Sequence, residues 1–520
     1  MNFFRTKKHP RTPPPTVPTD TIIPLSFWDC EHHVSGLSFD ITFRFDDVLD
    51  HEALRAALAR LLQLGNWRKL GARLRRNPAT EGGLEYHVPQ TFDDKRPGFA
   101  YSSATFAMPI DAHPEASRLA RPQDFATADR PAVFSTSFAA APAFRAFIRT
   151  PGFPERLDDW LYSDSPQLGI RTIVFADATL VTISFLHSLM DMMGMHAIME
   201  AWTAVLRGEE DKVKPFEGFA HDALAGLGKP TVTAPLQKYV FTDTLLVGWS
   251  WILFGLRYLL TTEWLWHRRE EERLIFLPGK HLTQMRNQAM AELTAANSKP
   301  EPNTPPPFIS EGDVIFAWWT RVALRAEKPS PSRTINLRNT YCCRSLLAEM
   351  GYIPSATSAL VTNAVFATLT FLTVGQVLTK PLSFTANEIR KSLLQQRNVE
   401  QLHALIAIQR RVLEEEHHPA LFGDPTMRMM MMSNWVKADL FAVDFSAAVV
   451  SMGMALEKRA NLVGRPSCVQ GTGTKAYATR NTGVVIGKDA RGDFWLLYTL
   501  RKKAWKGVER ELSAMGDVVG

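Results

Sequence analysis

One pattern in this chain is well placed for acid–base chemistry: His187-Ser-Leu-Met-Asp191. A neutral imidazole, with an ordinary pKa near about 6.5, can accept a proton from an attacking group at neutral pH and pass it on. Asp191 is spaced to shape the following turn or to pair with a cation rather than to titrate beside the histidine. Gly194 gives another backbone or a ligand room to approach. Rival chemistries are poorly supplied. There is no GxSxG nucleophile elbow, and Gly471-Thr-Gly473-Thr-Lys475 lacks the spacing of a phosphate loop. The pairs His32–His33 and His417–His418 have no convergent carboxylates, so no metal site is expected. His196 and Glu200 fall on one helix face and read as an exposed side.

The elements around His187 suit such a role. Leu180–Leu186 is a short apolar run with β-branched residues, the mark of a buried strand. With Gly169–Phe175 it reads as a β-hairpin. From Met190 to Val205, Met195, Ile198, Met199, Trp202 and Val205 recur at three- and four-residue spacings, which predicts a helix with one buried face. The histidine therefore sits where a strand ends and a helix is about to start. Upstream, Phe39, Ile41, Phe43 and Phe45 alternate as in a half-buried strand, and Asp50 is placed to cap a helix with Leu54, Ala57, Leu58, Leu61 and Leu62 inside. Residues 78–165, rich in Pro, Ala and Asp, show too little periodicity to place elements. Downstream, Ser310-Glu-Gly-Asp313 opens an apolar helix in capping-box fashion, and Arg333–Arg338 reads as a strand. Thr385 is expected to cap a helix with Ile389, Leu393 and Leu394 inside. Met427–Met432 reads as packing, Phe494–Thr499 as a strand and Lys503–Leu512 as a closing helix.

A chain of 520 residues favours two domains. Its net charge of +6 is spread out rather than gathered into a basic patch, which argues against a nucleic-acid partner. Cys30, Cys342, Cys343 and Cys468 form no disulfide framework, in keeping with a reducing, cytoplasmic compartment. The N-terminus lacks the apolar region of a secretory signal, and residues 1–20 read as a disordered lead-in. Leu245–Leu260 is the least soluble-looking stretch. It is too short for a membrane span of about 20 residues and is read first as a buried or cleft-lining helix. A weak membrane-surface contact through 245–266 stays open as the second reading.

Several stretches, in order, resemble the BAHD-type acyl-CoA-dependent acyltransferases, and more closely their fungal secondary-metabolism branch in the chloramphenicol-acetyltransferase-like superfamily. His187-Ser-Leu-Met-Asp191 stands for the family's HxxxD. Ile335-Asn-Leu-Arg338 resembles its NLR-type segment, and Val361-Thr-Asn363-Ala364 its segment ending in GNA. Ser433-Asn434-Trp435 followed by Asp444-Phe445 resembles the (S/T)SW…DFG block, and Phe494–Leu512 the terminal strand and helix. The chain departs from the pattern after Asp444-Phe445, where Ser446-Ala447-Ala448 replaces both glycines and the tryptophan. Asn363 also follows Thr362 instead of a glycine.

The resemblance implies an α/β (α+β) fold of two similar domains, each a mixed sheet flanked by helices, with the active site in the channel between them. The expected divisions are 21–210 for the HxxxD domain, 211–310 for a crossover holding the apolar helix 245–260, and 311–520 for the second domain. It further implies transfer of an acyl group, read by analogy as acetyl, from acyl-CoA to a hydroxyl of an apolar natural product such as a terpenoid or polyketide, with no bound cofactor. His187 would be the general base, Ser433 and Trp435 oxyanion donors, and Asp191 the ion-pair partner of Arg338, with Asp444 in structural support. Two other readings remain: a catalytically silent binding member, and a condensation-type transferase fed by a carrier protein. The latter usually carries a second histidine where this chain has Leu186.

Overall fold

The computed structural model describes residues 11–120, 129–134, 142–229, 237–260, 269–297, 306–477 and 479–514, without the side chains of 259 and 260. Two mixed sheets organise it. The first has five strands in the order Pro466–Lys475, Leu37–Phe45, Thr179–Leu186, Leu168–Val174 and Ala100–Thr105. The hairpin expected ahead of His187 is present, with Ile170 opposite Ile183 and Leu168 opposite Phe185. The strand Leu37–Phe45 is more buried than its alternation suggests. Its polar face is covered too, because Asp40 meets Arg145, Arg149 and Ser184, and Thr42 meets Thr182. Buried polar groups are tolerated when they satisfy one another.

The second sheet has seven strands among the described residues. Its order is Val365–Thr373, Thr334–Cys342, Arg428–Asn434, Thr482–Lys488, Phe494–Arg501, Glu270–Leu277 and Ala132–Val133. One face of its centre, with Ile335, Leu337, Met430 and Met432, packs against the buried Trp319 and Val322 of the helix Glu311–Glu327. That helix begins at the expected capping box, in which the Ser310 side chain accepts from Asp313 N and the Asp313 carboxylate accepts from Ser310 N. The methionine run packs as expected, but as a strand. Met430 and Met432 point into the core, while Met429 and Met431 point the other way.

Four expectations need correction. The halves are not divided at 210 and 311, because Pro466–Lys475 pairs along Leu37–Phe45 in the first sheet and Ala132–Val133 extends the second. The stretch 211–310 is more than a crossover, since Glu270–Leu277 pairs with Phe494–Arg501 inside the second sheet. Within the lead-in, residues 1–10 lie outside the described residues, but Arg11 bonds Asp159 and Asp20 pairs with Arg96. Thr385 is not a cap: it is buried inside the helix Leu382–Gln396, and Leu394 points outward.

The apolar stretch forms the helix Trp249–Leu260 with two unlike faces. Leu246 and Phe254 pack on Leu421 and Met427, and Trp251 stacks on His418 at 3.9 Å between ring centroids. Trp249, Ile252, Leu253 and Leu256 are exposed, so a wholly buried or cleft-lining helix is set aside. Among the described residues no helix is long and apolar enough to cross a membrane. Residues 261–266 lie outside the described residues.

Candidate active site

His187 follows the strand Thr179–Leu186, and its backbone N–H still donates to Leu37 O at 2.8 Å, so the sheet holds it in place. Its Nδ1 lies 2.9 Å from Met190 O. A carbonyl can only accept, so Nδ1 carries the proton and Nε2 keeps its lone pair. Burial holds the imidazole pKa below its ordinary value, against a smaller upward pull from backbone contacts and Asp191. At neutral pH the ring is uncharged. It has the tautomer and charge of a general base.

Asp191 supports the histidine from the next turn. Its carboxylate caps the helix Met192–Leu206 by accepting from Gly194 N at 2.8 Å, and it also accepts from Ala364 N at 2.9 Å. Its cationic partner is Arg344, which approaches with both Nη atoms at 2.8 and 2.9 Å. The expected pairing with Arg338 is therefore wrong. Arg344 opens the short helix Arg344–Glu349 and also donates to Leu360 O and Thr362 O. This ties the aspartate, the second sheet and the 360–364 segment together. Arg338 instead projects from the middle of a strand and meets no carboxylate among the described residues. The expected close approach at Gly194 is real, since a Cβ there would lie 2.2 Å from Val361 O.

Asn363 has a specific task. Its Nδ2 donates to His187 O at 2.7 Å and to Asp29 Oδ1 at 2.7 Å. Asp29, in the short helix Phe27–Cys30, is buried, and desolvation raises its pKa to about 7 despite the Asn363 hydrogen bonds. The chain Asp29–Asn363–His187 holds the histidine backbone from behind.

The second sheet supplies the other half of the site. Ser433 Oγ lies 3.1 Å from Trp435 Nε1 and 2.9 Å from Thr340 Oγ1, and both donate to it. A hydroxyl that accepts twice still has its own proton to give. Ser433 is therefore the free donor of this cluster. Trp435, expected to donate directly, has its indole N–H engaged on Ser433. Thr340 was missed by sequence reading, although it shares a strand face with Arg338 two residues away. Phe39 joins the two halves, with ring centroids 5.0 Å from His187 and 6.1 Å from Trp435. His187, Thr340, Ser433 and Arg338 each keep part of their surface uncovered at this junction of the sheets.

Asp444 stands apart from the chemistry. Its Oδ1 accepts from Ser446 N at 3.0 Å and caps its own turn. Its neighbour Phe445 does more, packing at 5.0 Å against Trp202 of the Met192–Leu206 helix and 5.4 Å against Phe45. The tight approach at this turn is made by Gly464, where a Cβ would lie 2.3 Å from Ser446 N.

No protein-family model matches the chain. It is 67% identical to acetyltransferase sphE of Aspergillus fumigatus over 99% of both chains. It is 40% identical to acetyltransferase adrJ of Penicillium roqueforti, over 99% of this chain and 100% of that one. It is also 36% identical to a Sordaria araneosa protein named transcriptional regulator sdnM, over 99% of this chain and 100% of that one. In architecture it resembles F. sporotrichioides TRI101, solved with coenzyme A and T-2, with a TM-score of 0.65 at 16% identity over 95% of this chain and 98% of that one.

Proposed function

The chain belongs to the BAHD-like acyltransferases of fungal secondary metabolism, and from that premise we propose that it moves an acetyl group from acetyl-CoA to a hydroxyl of an apolar natural product. The acceptor class is a terpenoid or polyketide alcohol. The observation that carries the mechanism is the Nδ1 contact to Met190 O, which leaves Nε2 of His187 as a base.

His187 Nε2 takes the acceptor's hydroxyl proton as its oxygen attacks the thioester carbonyl. The Ser433 hydroxyl donates to the oxyanion of the tetrahedral intermediate, and its acidity is raised by the two donors that Trp435 and Thr340 aim at its oxygen. Collapse breaks the carbon–sulfur bond, and the departing thiolate takes the proton back from the imidazolium. The products are an ester and free CoA, with no acyl-enzyme.

The test is transfer of radiolabelled acetyl from acetyl-CoA to a panel of terpenoid and polyketide alcohols, with His187→Ala beside the wild type. General-base catalysis contributes about 10²–10⁴-fold, and a loss in that range is expected. Equal transfer by both proteins refutes the assignment. The similarity to sdnM favours a second reading, a binding protein without turnover. Failure of the folded protein to bind acetyl-CoA would support it. The carrier-protein alternative has less behind it, because Leu186 is buried in the core where a second histidine would be needed.

The exposed residues Trp249, Ile252, Leu253 and Leu256 repeat at helical spacing, and we propose that this ridge rests on a membrane surface. A cytoplasmic location, peripheral to membranes, fits the four free thiols. Leu253→Glu should abolish co-flotation with lipid vesicles and leave acetyl transfer to a water-soluble acceptor unchanged.

A further inference from the structure

The site contains a cation that the mechanism above does not use. Arg338 lies on the strand Thr334–Cys342, whose Ile335 and Leu337 point into the core. Alternation turns Arg338 the other way, onto the face where Thr340 meets Ser433, one pleat or about 7 Å along the strand. There its guanidinium is poorly satisfied. Nη1 reaches the Met429 sulfur at 3.9 Å, and Nε is buried without a hydrogen-bond partner. The neighbouring phenols Tyr239 and Tyr477, whose own O–H groups go to Gln396 and to His33 O, accept no hydrogen bond from it among the described residues.

Arg338 is only partly buried, and the contrast with the buried arginines is informative. Arg344 is paired with Asp191, Arg149 with Asp40, and Arg459 with Asp47. Arginine keeps its proton in proteins, so burying it without a counter-charge is costly. Burial indeed presses the Arg338 pKa downward. His33 lies within electrostatic range of both Arg338 and His187. Resting on the acetyl-transfer reading, we propose that Arg338 anchors a carboxylate carried by the acceptor, so that the alcohol substrate is a hydroxy acid with an apolar body. A planar guanidinium matches a carboxylate with two parallel hydrogen bonds. CoA phosphates are the other source of an anion, but the long neutral pantetheine arm separates them from the thioester. A dicarboxylic acyl donor is a third.

Isothermal titration of the full chain, saturated with CoA, with decanoate and decan-1-ol as probes tests this. The wild type should bind decanoate at least about tenfold more tightly than the alcohol, and Arg338→Met and Arg338→Gln should remove that preference. CoA affinity should be unchanged in both variants, which also shows that they are folded. Equal binding of acid and alcohol by the wild type overturns the proposal, as does a preference that survives both substitutions. If the variants instead lose affinity for malonyl-CoA or for CoA itself while decanoate binding stays, the anion belongs to the donor, and the proposal also fails. His187→Ala separates the two readings: it should lose acetyl transfer and retain the carboxylate preference. Retained transfer would sink the general-base reading alone.

Discussion

Replacing Asp191 with asparagine isolates the charge that links the histidine turn to the second sheet. The substituted side chain would keep one carbonyl oxygen, enough to cap Gly194 N, but its amide N–H₂ would face the donors Ala364 N and Arg344. Arg344 and Asp191 have side chains only 5% and 3% exposed, so solvent cannot take the place of the lost partner. Leaving one member of a buried pair uncompensated costs about 3–5 kcal/mol. With a urea m-value of about 3 kcal/mol/M or more for a chain this long, the midpoint of unfolding should fall by up to about 1–1.7 M. Tryptophan fluorescence in a urea titration measures it. The sharper test is a double-mutant cycle of Asp191→Asn with Arg344→Met. A coupling energy of about 1–3 kcal/mol is expected there, and near-additivity is expected between Asp191→Asn and Arg338→Met. Coupling to Arg338 with additivity at Arg344 would refute the pairing and restore the expectation drawn from the family motif.

Three further outcomes follow from the geometry. Because burial lowers the His187 pKa, the base form persists below the ordinary imidazole range, so the acid limb of kcat/KM should have its midpoint below about pH 6.5. The same group makes stability fall as the pH drops from about 6.5 through its folded pKa, since the unfolded chain takes up that proton first. A midpoint above that value would show that another group controls the rate. Ser433→Ala should lower kcat by about 10²–10³-fold, as loss of an oxyanion donor does, whereas Thr340→Val and Trp435→Phe should each cost less because they act through Ser433. Steady-state rates decide this, and a Trp435→Phe effect as large as that of Ser433→Ala would make the indole a direct donor.

What could be read from the sequence was what depends on neighbours along the chain. The hairpin before His187, the Asp50 cap and the Ser310 capping box arise from local periodicity and local hydrogen bonds, and each is present. What could not be read depends on contacts across the two sheets. Arg344 has no periodic signature, because it sits just after a strand end, and its importance comes from meeting Asp191 from 153 residues away. The family motif pointed to Arg338 instead, six residues earlier on a strand whose alternation commits that side chain to the face it shares with Thr340. Likewise, 466–475, with Pro466, Gly471 and Gly473, has no strand signature, and nothing local says that its edge completes the sheet of Leu37–Phe45.

These two misreadings have one physical origin and one consequence. The site is assembled by elements that cross between the halves: Asn363 holds the His187 carbonyl, Arg344 holds Asp191, and Phe39 bridges to Trp435. None of these contacts lies within a single sheet. His187 and Ser433 thus keep their spacing only while both sheets are packed together, so on the proposed mechanism loosening the junction should reduce turnover before either sheet unfolds. It also explains why the departure after Asp444-Phe445 is tolerable. That turn carries no atom of the reacting site, and its contribution, the Phe445 ring against Trp202, is kept.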